Sequence, residues 1–296
     1  MSAPATRAPG STLRMLLLSS RPLSWVNTAY PFAAAYLLTA GQIDLAWIVG
    51  TLYFLVPYNL AMYGINDVFD YESDLRNPRK GGVEGALLDR RFHRITLLAA
   101  VVSNVPFLAA LVLLGSPLSW LVLAVSVFAV VAYSAPGLRF KERPFLDSMT
   151  SSTHFVSPAL YALVLAGAEF TPGLWAVLGA FFLWGMASQA FGAVQDVLPD
   201  REGGISSIAT VLGARTVVWF AAAAYLAAGL LMLLAPWPAL LGALLAVPYL
   251  LNLLPFLAIT DERSETANTG WKRFLKLNFL TGFLVTMLLI WYWPSR

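Results

Sequence analysis

Long apolar segments are the feature that most limits what this chain can fold into. A bilayer core about 30 Å thick needs about 20 apolar residues for each helical crossing. Segments of this kind recur nine times, at residues 23–41, 46–65, 95–114, 118–135, 148–168, 174–195, 216–235, 238–259 and 273–293. Backbone polar groups in lipid must be satisfied within the chain, so these segments are expected to be helices. The sequence predicts an all-α integral membrane protein, a bundle of nine transmembrane helices.

Composition agrees with this class and excludes others. Of the 296 residues, 58% are hydrophobic and only 12% are charged, which is too apolar for a soluble domain of this size. A net charge of +3 is too small to indicate a nucleic-acid-binding protein, and the absence of cysteine excludes disulfides and thiolate metal sites. We interpret residues 1–22 as a cytoplasmic N-terminal segment rather than a signal peptide, and residues 23–296 as a single domain.

The connections between the segments alternate in charge. Those at 116–118, 167–173 and 235–238 are short and nearly uncharged. Those at 66–94, 136–147, 196–215 and 260–272 are long and charged. Placing the charged connections and the N-terminus on one side collects 18 of the 19 Lys and Arg residues there. The positive-inside rule makes that side cytoplasmic, so an odd number of spans puts the C-terminus outside. The predicted location is therefore the cell membrane, as a multi-pass protein.

Acidic residues follow the same bias in two matching motifs. Asp70 and Asp74 end the second span, and Asp196 and Asp200 end the sixth, with the same spacing. Three spans lie between them, so both helices run in the same direction and carry their acids to the cytoplasmic face. Residues three, four or seven apart share a helix face. Two stripes result: Asn59, Tyr63, Asn66, Asp70 and Asp74, with Asp67 beside them, and Gly185, Gln189, Gly192, Asp196 and Asp200.

Clustered carboxylates require cations, and an all-oxygen set favours a hard ion such as Mg²⁺, which is bound by one or two carboxylates together with phosphate oxygens and water. Basic residues near the motifs could grip those phosphates bidentately. They are Arg76, Arg79, Lys80, Arg139, Lys141, Arg143 and Arg201. The combination predicts an organic diphosphate bound at the inner mouth of an apolar cavity.

Simpler interpretations apply to individual residues. A single acidic pair after a span is usually a solvated topology signal, and it is the second pair that favours a site. Asn59 and Gln189 are equally consistent with hydrogen bonding between helices. His154 is more typical of a packing residue, and Tyr133 is equally consistent with an interface tyrosine.

The segment "NDVFDYESD" resembles the NDxxDxxxD motif of the UbiA superfamily of intramembrane prenyltransferases, and "QDVLPDREGGISSIATVLG" resembles its second acidic motif. The loop "YSAPGLRFKERP" is similar to the Tyr and Lys element of that family, so the resemblance covers nearly the whole chain. It implies a helical bundle with a central chamber and a Mg²⁺-bound prenyl diphosphate. Asn66, Asp70, Asp74, Asp196 and Asp200 would bind the metal, supported by Asp67. Arg139, Lys141 and Arg21 would contact the diphosphate, and Tyr133 would lie near the allylic carbon.

Within this superfamily, the segments "SSRPLSWVNTAYPF", "TSSTHFVSPAL" and "FFLWGMASQAFGAVQDV" are most similar to the actinobacterial lycopene elongases of fifty-carbon carotenoid synthesis. That resemblance implies dimethylallyl diphosphate as the donor and lycopene as the acceptor, prenylated at each end. Each addition would finish by proton loss or water capture, with His154 or Ser152 as a candidate proton acceptor. Partners would be the lipid bilayer and other carotenoid enzymes, such as an upstream desaturase or a downstream cyclase.

Three alternatives share these residues. The first is a prenyltransferase acting on a quinone precursor or a chlorin, which would differ in the shape of the chamber. The second is a cation or proton transporter, although acids confined to one face argue against a conducting path. The third is a non-catalytic scaffold for carotenoid enzymes.

Overall fold

The structure is a computed structural model that describes residues 12–76 and 88–293, without the side chains of residues 73, 74 and 76. Arg79 and Lys80, predicted to cover the diphosphate, lie outside the described residues. The helices are α1 (Thr12–Ser19), α2 (Val26–Ala40), α3 (Leu45–Leu55), α4 (Pro57–Phe69), α5 (Tyr71–Arg76), α6 (His93–Leu114), α7 (Pro117–Ser134), α8 (Leu146–Leu165), α9 (Pro172–Val194), α10 (Val197–Glu202), α11 (Ile208–Leu212), α12 (Ala214–Met232), α13 (Ala246–Leu253) and α14 (Ala267–Tyr292).

Among the described residues, seven helical segments are long and apolar enough to cross a membrane, with α3 and α4 counted as one. The all-helical membrane bundle is confirmed, but the exact number of nine spans is not. Each predicted span has a helix, yet α2 is only 15 residues long. The first half of α8 carries the polar segment from Asp147 to His154, which lowers its hydropathy. Helices shielded by neighbours tolerate such polarity, so apolar length alone does not decide the number of spans.

Helix boundaries follow local signals. The Asp44 side chain accepts a hydrogen bond from the Trp47 amide at the start of α3, and Thr171 does the same for Leu174 at the start of α9. These side chains satisfy backbone N–H groups that have no partner inside the helix. Gly41 ends α2 with a φ of 73°, a conformation that glycine adopts without steric cost.

Packing divides the bundle into two halves. In one half, α2, α3, α4, α7 and α8 bury an aromatic cluster that includes Phe32, Tyr53 and Tyr161. In the other, α9, α12 and α13 bury a second cluster around Phe191 and Tyr225. Helices α8 and α9 pack together and join the halves. A cavity of about 2370 Å³ lies between them, lined by residues of both halves.

The α3–α4 break is held by Asn59, one of the residues that the sequence placed on the site stripe. Its side chain is fully buried, and Nδ2 lies 2.7 Å from Thr28 Oγ1 and 2.8 Å from the Phe54 carbonyl oxygen. Pro57 lacks an N–H group, so the helical ladder is interrupted here. Asn59 therefore bridges helices and does not line the cavity, which matches its interpretation as a hydrogen-bonding residue.

We expect Asn59→Leu to lower the free energy of unfolding by about 1–3 kcal/mol, because the carbonyl groups at the break lose a buried donor. Thermal unfolding of the detergent-solubilised protein would measure the change. Gln42→Leu, at an exposed position before α3, is the matched control and should leave the melting temperature unchanged. Equal melting temperatures for the Asn59 variant and the parent protein would contradict this role.

Candidate active site

Both acidic motifs lie at a break between a long helix and a short one. Asp70 separates α4 from α5, with φ −98° and ψ −1°, and Asp196 separates α9 from α10, with φ −102° and ψ 3°. This region of backbone space is sparsely populated and is common in active sites. The two motifs therefore share the same backbone conformation at a helix break. We call the end of the bundle that carries them the acidic end.

The acidic end includes residues from both walls of the cavity. Asn66 and Asp70 line it from one half of the bundle, and Asp196 and Asp200 line it from the other. Gly185, Gln189 and Gly192 line the same cavity, which confirms that the α9 stripe shares one face. The side chain of Asp74 is not described, so its predicted role stays a prediction.

Asp70 is held by three neighbours. Asn66 Nδ2 lies 2.6 Å from Asp70 Oδ2 and 3.0 Å from Ser134 Oγ, which fixes the amide between α4 and α7. Lys141, on the α7–α8 connection, forms an ion pair with Asp70, and Arg139 Nη2 lies 3.9 Å from the same carboxylate. The predicted basic loop thus reaches the first acidic motif, and its cations line the cavity beside the acids.

Asp67 lies behind the cavity wall. It is almost fully buried, accepts a hydrogen bond from Ser19 Oγ at 2.9 Å, and pairs with Arg21 Nη2 at 3.1 Å. The Arg21 guanidinium also stacks over the Tyr63 ring, 4.3 Å from its centroid. Arg21 lines the cavity, so Asp67 orients a cation that faces the site. Residues before position 23, assigned to a separate N-terminal segment, therefore contribute to the candidate site.

Two of the cavity-lining arginines have left-handed backbones. Arg21 has φ 50° and Arg139 has φ 41°, values that are uncommon for residues with a Cβ atom. Such conformations cost of order 1–3 kcal/mol and persist where surrounding contacts hold them. The contacts of Arg21 with Asp67 and of Arg139 with Glu142 supply that support.

Arg201 has different contacts from those predicted. Its Nη1 lies 2.6 Å from Asp261 Oδ2 and its Nε lies 3.0 Å from the Thr210 carbonyl oxygen, while Asp261 also accepts from the Ala214 amide. Arg201 is not among the residues that line the cavity. These contacts tie α10 to the start of α12, and phosphate binding by Arg201 stays a prediction, as it does for Arg76.

Sequence reasoning missed Asp147, Glu142 and Ser19. Asp147 is 1% exposed and accepts hydrogen bonds from the amides of Ser148 and Ile208, at 2.7 Å each, so it anchors α11 to α8. A lone acid at the start of an apolar span is the signal that could have revealed it. Ser19 carries no comparable signal, because its partner Asp67 is far away in sequence. Glu142 carries none either, because several basic residues surround it and the sequence does not show which one it pairs with.

Among the described side chains, which do not include that of Asp74, no three of Asp, Glu, His or Cys form a ready-made metal site. The donors are divided instead between the two cavity walls. That arrangement suits Mg²⁺, because this ion takes one or two carboxylates and completes its shell with phosphate oxygens and water. Asn66, Asp70, Asp196 and Asp200 supply oxygens only, so the residues present fit a hard divalent cation.

Comparison with known proteins agrees with this geometry. Residues 28–292 match the model of the UbiA prenyltransferase family, and the chain belongs to that family. It is therefore a membrane-embedded enzyme of the prenyltransferase class.

Among its relatives, the Lycopene elongase/hydratase of Corynebacterium glutamicum is 55% identical over 278 residues, covering 94% of this chain and 97% of that one. The C(50) beta-cyclic carotenoids biosynthesis protein LbtBC of Dietzia sp. is 62% identical over 280 residues, covering 94% of this chain. The match spans 65% of the length of LbtBC. The solved structure of a UbiA homolog from Archaeoglobus fulgidus bound to DMAPP and Mg²⁺ has a TM-score of 0.66 at 18% identity, over 90% of this chain and 98% of that one.

The Arg139–Glu142 ion pair gives a prediction for pH dependence. The hydrogen bond from Arg139 lowers the pKa of Glu142 below its usual value, and the same bond raises the pKa of Arg139. A lowered carboxyl pKa contributes stability above the unfolded-state value of about 4.3, and this contribution disappears as pH falls through the folded-state pKa. We expect Glu142→Gln to lower the melting temperature near pH 7, and we expect the effect to shrink below about pH 4.3 and to disappear once the pH is below the folded-state pKa of Glu142.

A double-mutant cycle checks the cause. In an Arg139→Gln background, Glu142→Gln should change the melting temperature much less, because the partner that contributes most to lowering the Glu142 pKa is absent and only Lys141 remains. An undiminished effect in that background would assign the stabilisation to another contact.

Proposed function

We propose that the protein is a Mg²⁺-dependent prenyltransferase that moves dimethylallyl groups from dimethylallyl diphosphate to the ends of lycopene. One observation carries the proposal: a cavity of about 2370 Å³ with paired acids and cations at one end and apolar, aromatic walls beyond. Ligand pockets are typically about 300–1,000 Å³. A cavity of this size suits a long hydrocarbon acceptor together with a small diphosphate. The naming of relatives as lycopene elongases supports this choice of acceptor.

At the acidic end, Asn66, Asp70, Asp196 and Asp200, together with Asp74, would hold the metal. When bound, Mg²⁺ neutralises the negative charge that develops on the leaving diphosphate. Arg21, Arg139 and Lys141 would bind its oxygens, and because Arg21 is already oriented by Asp67, little reorganisation is needed when charge develops. The ion pair between Lys141 and Asp70 would weaken when the lysine binds the diphosphate oxygens instead.

Carbon–oxygen ionisation leaves an allylic cation that must be kept from bulk water. Tyr133 lines the cavity next to the acidic end, and Gln189 Nε2 lies 3.4 Å from its hydroxyl oxygen. The ring of Tyr133 would face the allylic carbon and offer a π surface to the cation. Further along the cavity, Trp184, Tyr225 and Tyr249 form an aromatic wall that suits a polyene.

The length of the cavity favours an extended acceptor. Besides the acidic end, its lining includes Glu169 and Thr171 in the connection before α9, beyond the far ends of α8 and α9. The cavity therefore runs the full length of these helices. A linear hydrocarbon would present one terminal alkene to the cation at a time, and each end would react in turn.

The test is membrane assay of prenyl transfer with dimethylallyl diphosphate and Mg²⁺, offering lycopene and 4-hydroxybenzoate as separate acceptors. We expect products enlarged by one and two five-carbon units from lycopene only. Asp70→Asn and Asp196→Asn should each lower the rate at least about 100-fold, because each removes a charge that holds the metal and diphosphate. Asp44→Asn, which keeps a helix-capping residue at the opposite connection, is the control and should retain activity.

Transfer to 4-hydroxybenzoate alone would replace the acceptor and keep the metal site. Retained carotenoid elongation in the Asp70→Asn and Asp196→Asn double variant would favour a scaffold. Proton flux in liposomes without any prenyl donor would favour a transporter.

We further propose that the acidic end and the N-terminus face the cytoplasm and that the C-terminus lies outside. The bias of Lys and Arg toward the charged connections supports this orientation. Other carotenoid enzymes would meet the protein in the same membrane, and the extra length of LbtBC beyond the matched part is consistent with a linked function.

The absence of native cysteine permits a direct test of orientation. A cysteine placed at exposed Arg143 should react with a membrane-impermeant thiol reagent only after cells are permeabilised. A cysteine at exposed Gln42 should react in intact cells. The reverse pattern would invert the proposed topology.

A further inference from the structure

A group of polar side chains lines the cavity beyond the acidic end. Tyr133, Ser151, His154 and Gln189 come from three different helices, α7, α8 and α9. Ser151 Oγ lies 3.4 Å from Gln189 Oε1, and Gln189 Nε2 lies 3.4 Å from the Tyr133 hydroxyl. A hydrocarbon acceptor offers none of them a hydrogen bond. Gln189 therefore links the three helices, and the group offers a polar reactant a place beside the hydrocarbon.

His154 is the titratable member of this group. Its side chain is 3% exposed and lies edge-on to the Tyr133 ring, with the centroids 5.3 Å apart. Nε2 has no hydrogen-bond partner among the residues that the structure describes. The Ala129 backbone hydrogen-bonds the ring. Because Nε2 has no partner, that bond involves Nδ1, which then carries the hydrogen and leaves the Nε2 lone pair available.

A buried nitrogen without a partner costs about 1–3 kcal/mol, so its presence in the cavity wall calls for a functional reason. A proton donor that arrives during the reaction would satisfy Nε2. Water is the donor that fits, since the polar side chains of Ser151, one turn before His154 on α8, and of Gln189 on α9 line the same cavity.

Ser152, the other candidate from the sequence, is committed elsewhere. Its Oγ donates to the Phe182 carbonyl oxygen at 2.7 Å, and the residue is fully buried. It also fills the space beside Gly185, where an added Cβ atom would lie 2.4 Å from Ser152 Oγ. Ser152 therefore packs α8 against α9, and it is not among the cavity-lining residues.

The name Lycopene elongase/hydratase of the Corynebacterium glutamicum relative already includes hydration. We propose that His154 is the general base that directs this water onto the elongated acceptor, so that each prenyl addition ends in a tertiary alcohol. This inference rests on the proposed function. The donor C–O bond breaks and its electron pair leaves with the diphosphate. The terminal alkene of the acceptor then forms a carbon–carbon bond to the allylic carbon, which leaves positive charge on the more substituted alkene carbon. A water oxygen bonds to that carbon, and one water proton passes to Nε2 of His154.

The charges and atoms balance without an oxidant or reductant. The diphosphate leaves with the electron pair of the broken C–O bond, and the π electrons of the alkene form the new carbon–carbon bond. The water supplies both the hydroxyl group and the proton that passes to His154. The imidazolium returns its proton to solvent before the next addition. Without the base, the same cation would lose a proton from a neighbouring carbon and give an alkene.

The experiment compares His154→Phe with the parent enzyme on dimethylallyl diphosphate and lycopene. Phenylalanine keeps an aromatic ring against Tyr133 and removes both nitrogens. Diphosphate release should stay within about threefold, while the ratio of hydrated to unhydrated product falls at least about tenfold. Reaction in oxygen-18 water should label the hydroxyl oxygen made by the parent enzyme. Thr153→Val is the control and should keep the parent ratio, because Thr153 lies next to His154 on α8, donates to the Met149 carbonyl oxygen and is not among the cavity-lining residues.

The product ratio is independent of how much enzyme folds, and His154→Gln provides a second variant of different shape. An unchanged ratio in both variants, or only unhydrated product from the parent enzyme, would overturn the role of His154 and leave the proposed function intact. Loss of diphosphate release in both variants would place His154 in ionisation or folding instead. Absence of lycopene elongation by the parent enzyme would overturn the proposed function itself.

Discussion

The pairing of buried carboxylates on α4 with cations from elsewhere in the chain is the interaction on which the rest of the site depends. Asp67 takes its partner from the segment before α2, and Asp70 takes Lys141 from the α7–α8 connection. Burying a carboxylate without a partner is costly, and removing one member of such a pair typically costs about 3–5 kcal/mol. The pairs therefore fix three distant parts of the chain around one end of the cavity, and the same cations line the cavity where we propose that a diphosphate binds.

The backbone makes the acidic end two-sided. Asp70 and Asp196 adopt nearly the same dihedral angles at helix breaks in different halves of the bundle. Ion pairs secure the Asp70 side, whereas Asp147 and Asp261 secure the Asp196 side through amide hydrogen bonds to the starts of α11 and α12. Carboxylates thus serve two purposes here. Those in the cavity would present oxygens to a metal ion, and those behind it satisfy backbone donors of the short helices.

Away from the acidic end, the cavity changes from charged to polar to aromatic. This order separates the places where different events would occur: diphosphate departure among the cations, cation capture beside Tyr133, and acceptor binding along the aromatic wall. Water must be excluded from the first cation and, on our inference, admitted to the second. Polar side chains in fixed positions can achieve both, because they orient a bound water near His154, whereas bulk water has no fixed orientation.

Periodicity and charge patterning in the sequence were enough to predict the helical membrane class and the shared face of Gly185, Gln189, Gly192 and Asp196. These follow from local rules: apolar length sets a crossing, and a spacing of three or four sets a face. The pairing of the two acidic motifs was also foreseeable, since an odd number of spans between two helices makes them parallel. The number of spans was less secure, because a shielded helix such as α8 can carry polar residues.

Tertiary structure alone decided the partners. Asn59 shares the predicted stripe yet bridges the α3–α4 break, because Pro57 interrupts the ladder and leaves the Phe54 carbonyl to accept from the side chains of Asn59 and Thr28. Arg201 follows an acidic motif yet pairs with Asp261, sixty residues away in sequence. Ser152 and His154 are two positions apart, which points them to different faces of α8, so one packs against α9 and the other lines the cavity. Sequence fixes which face a side chain can occupy, whereas the neighbouring helix determines what that face meets.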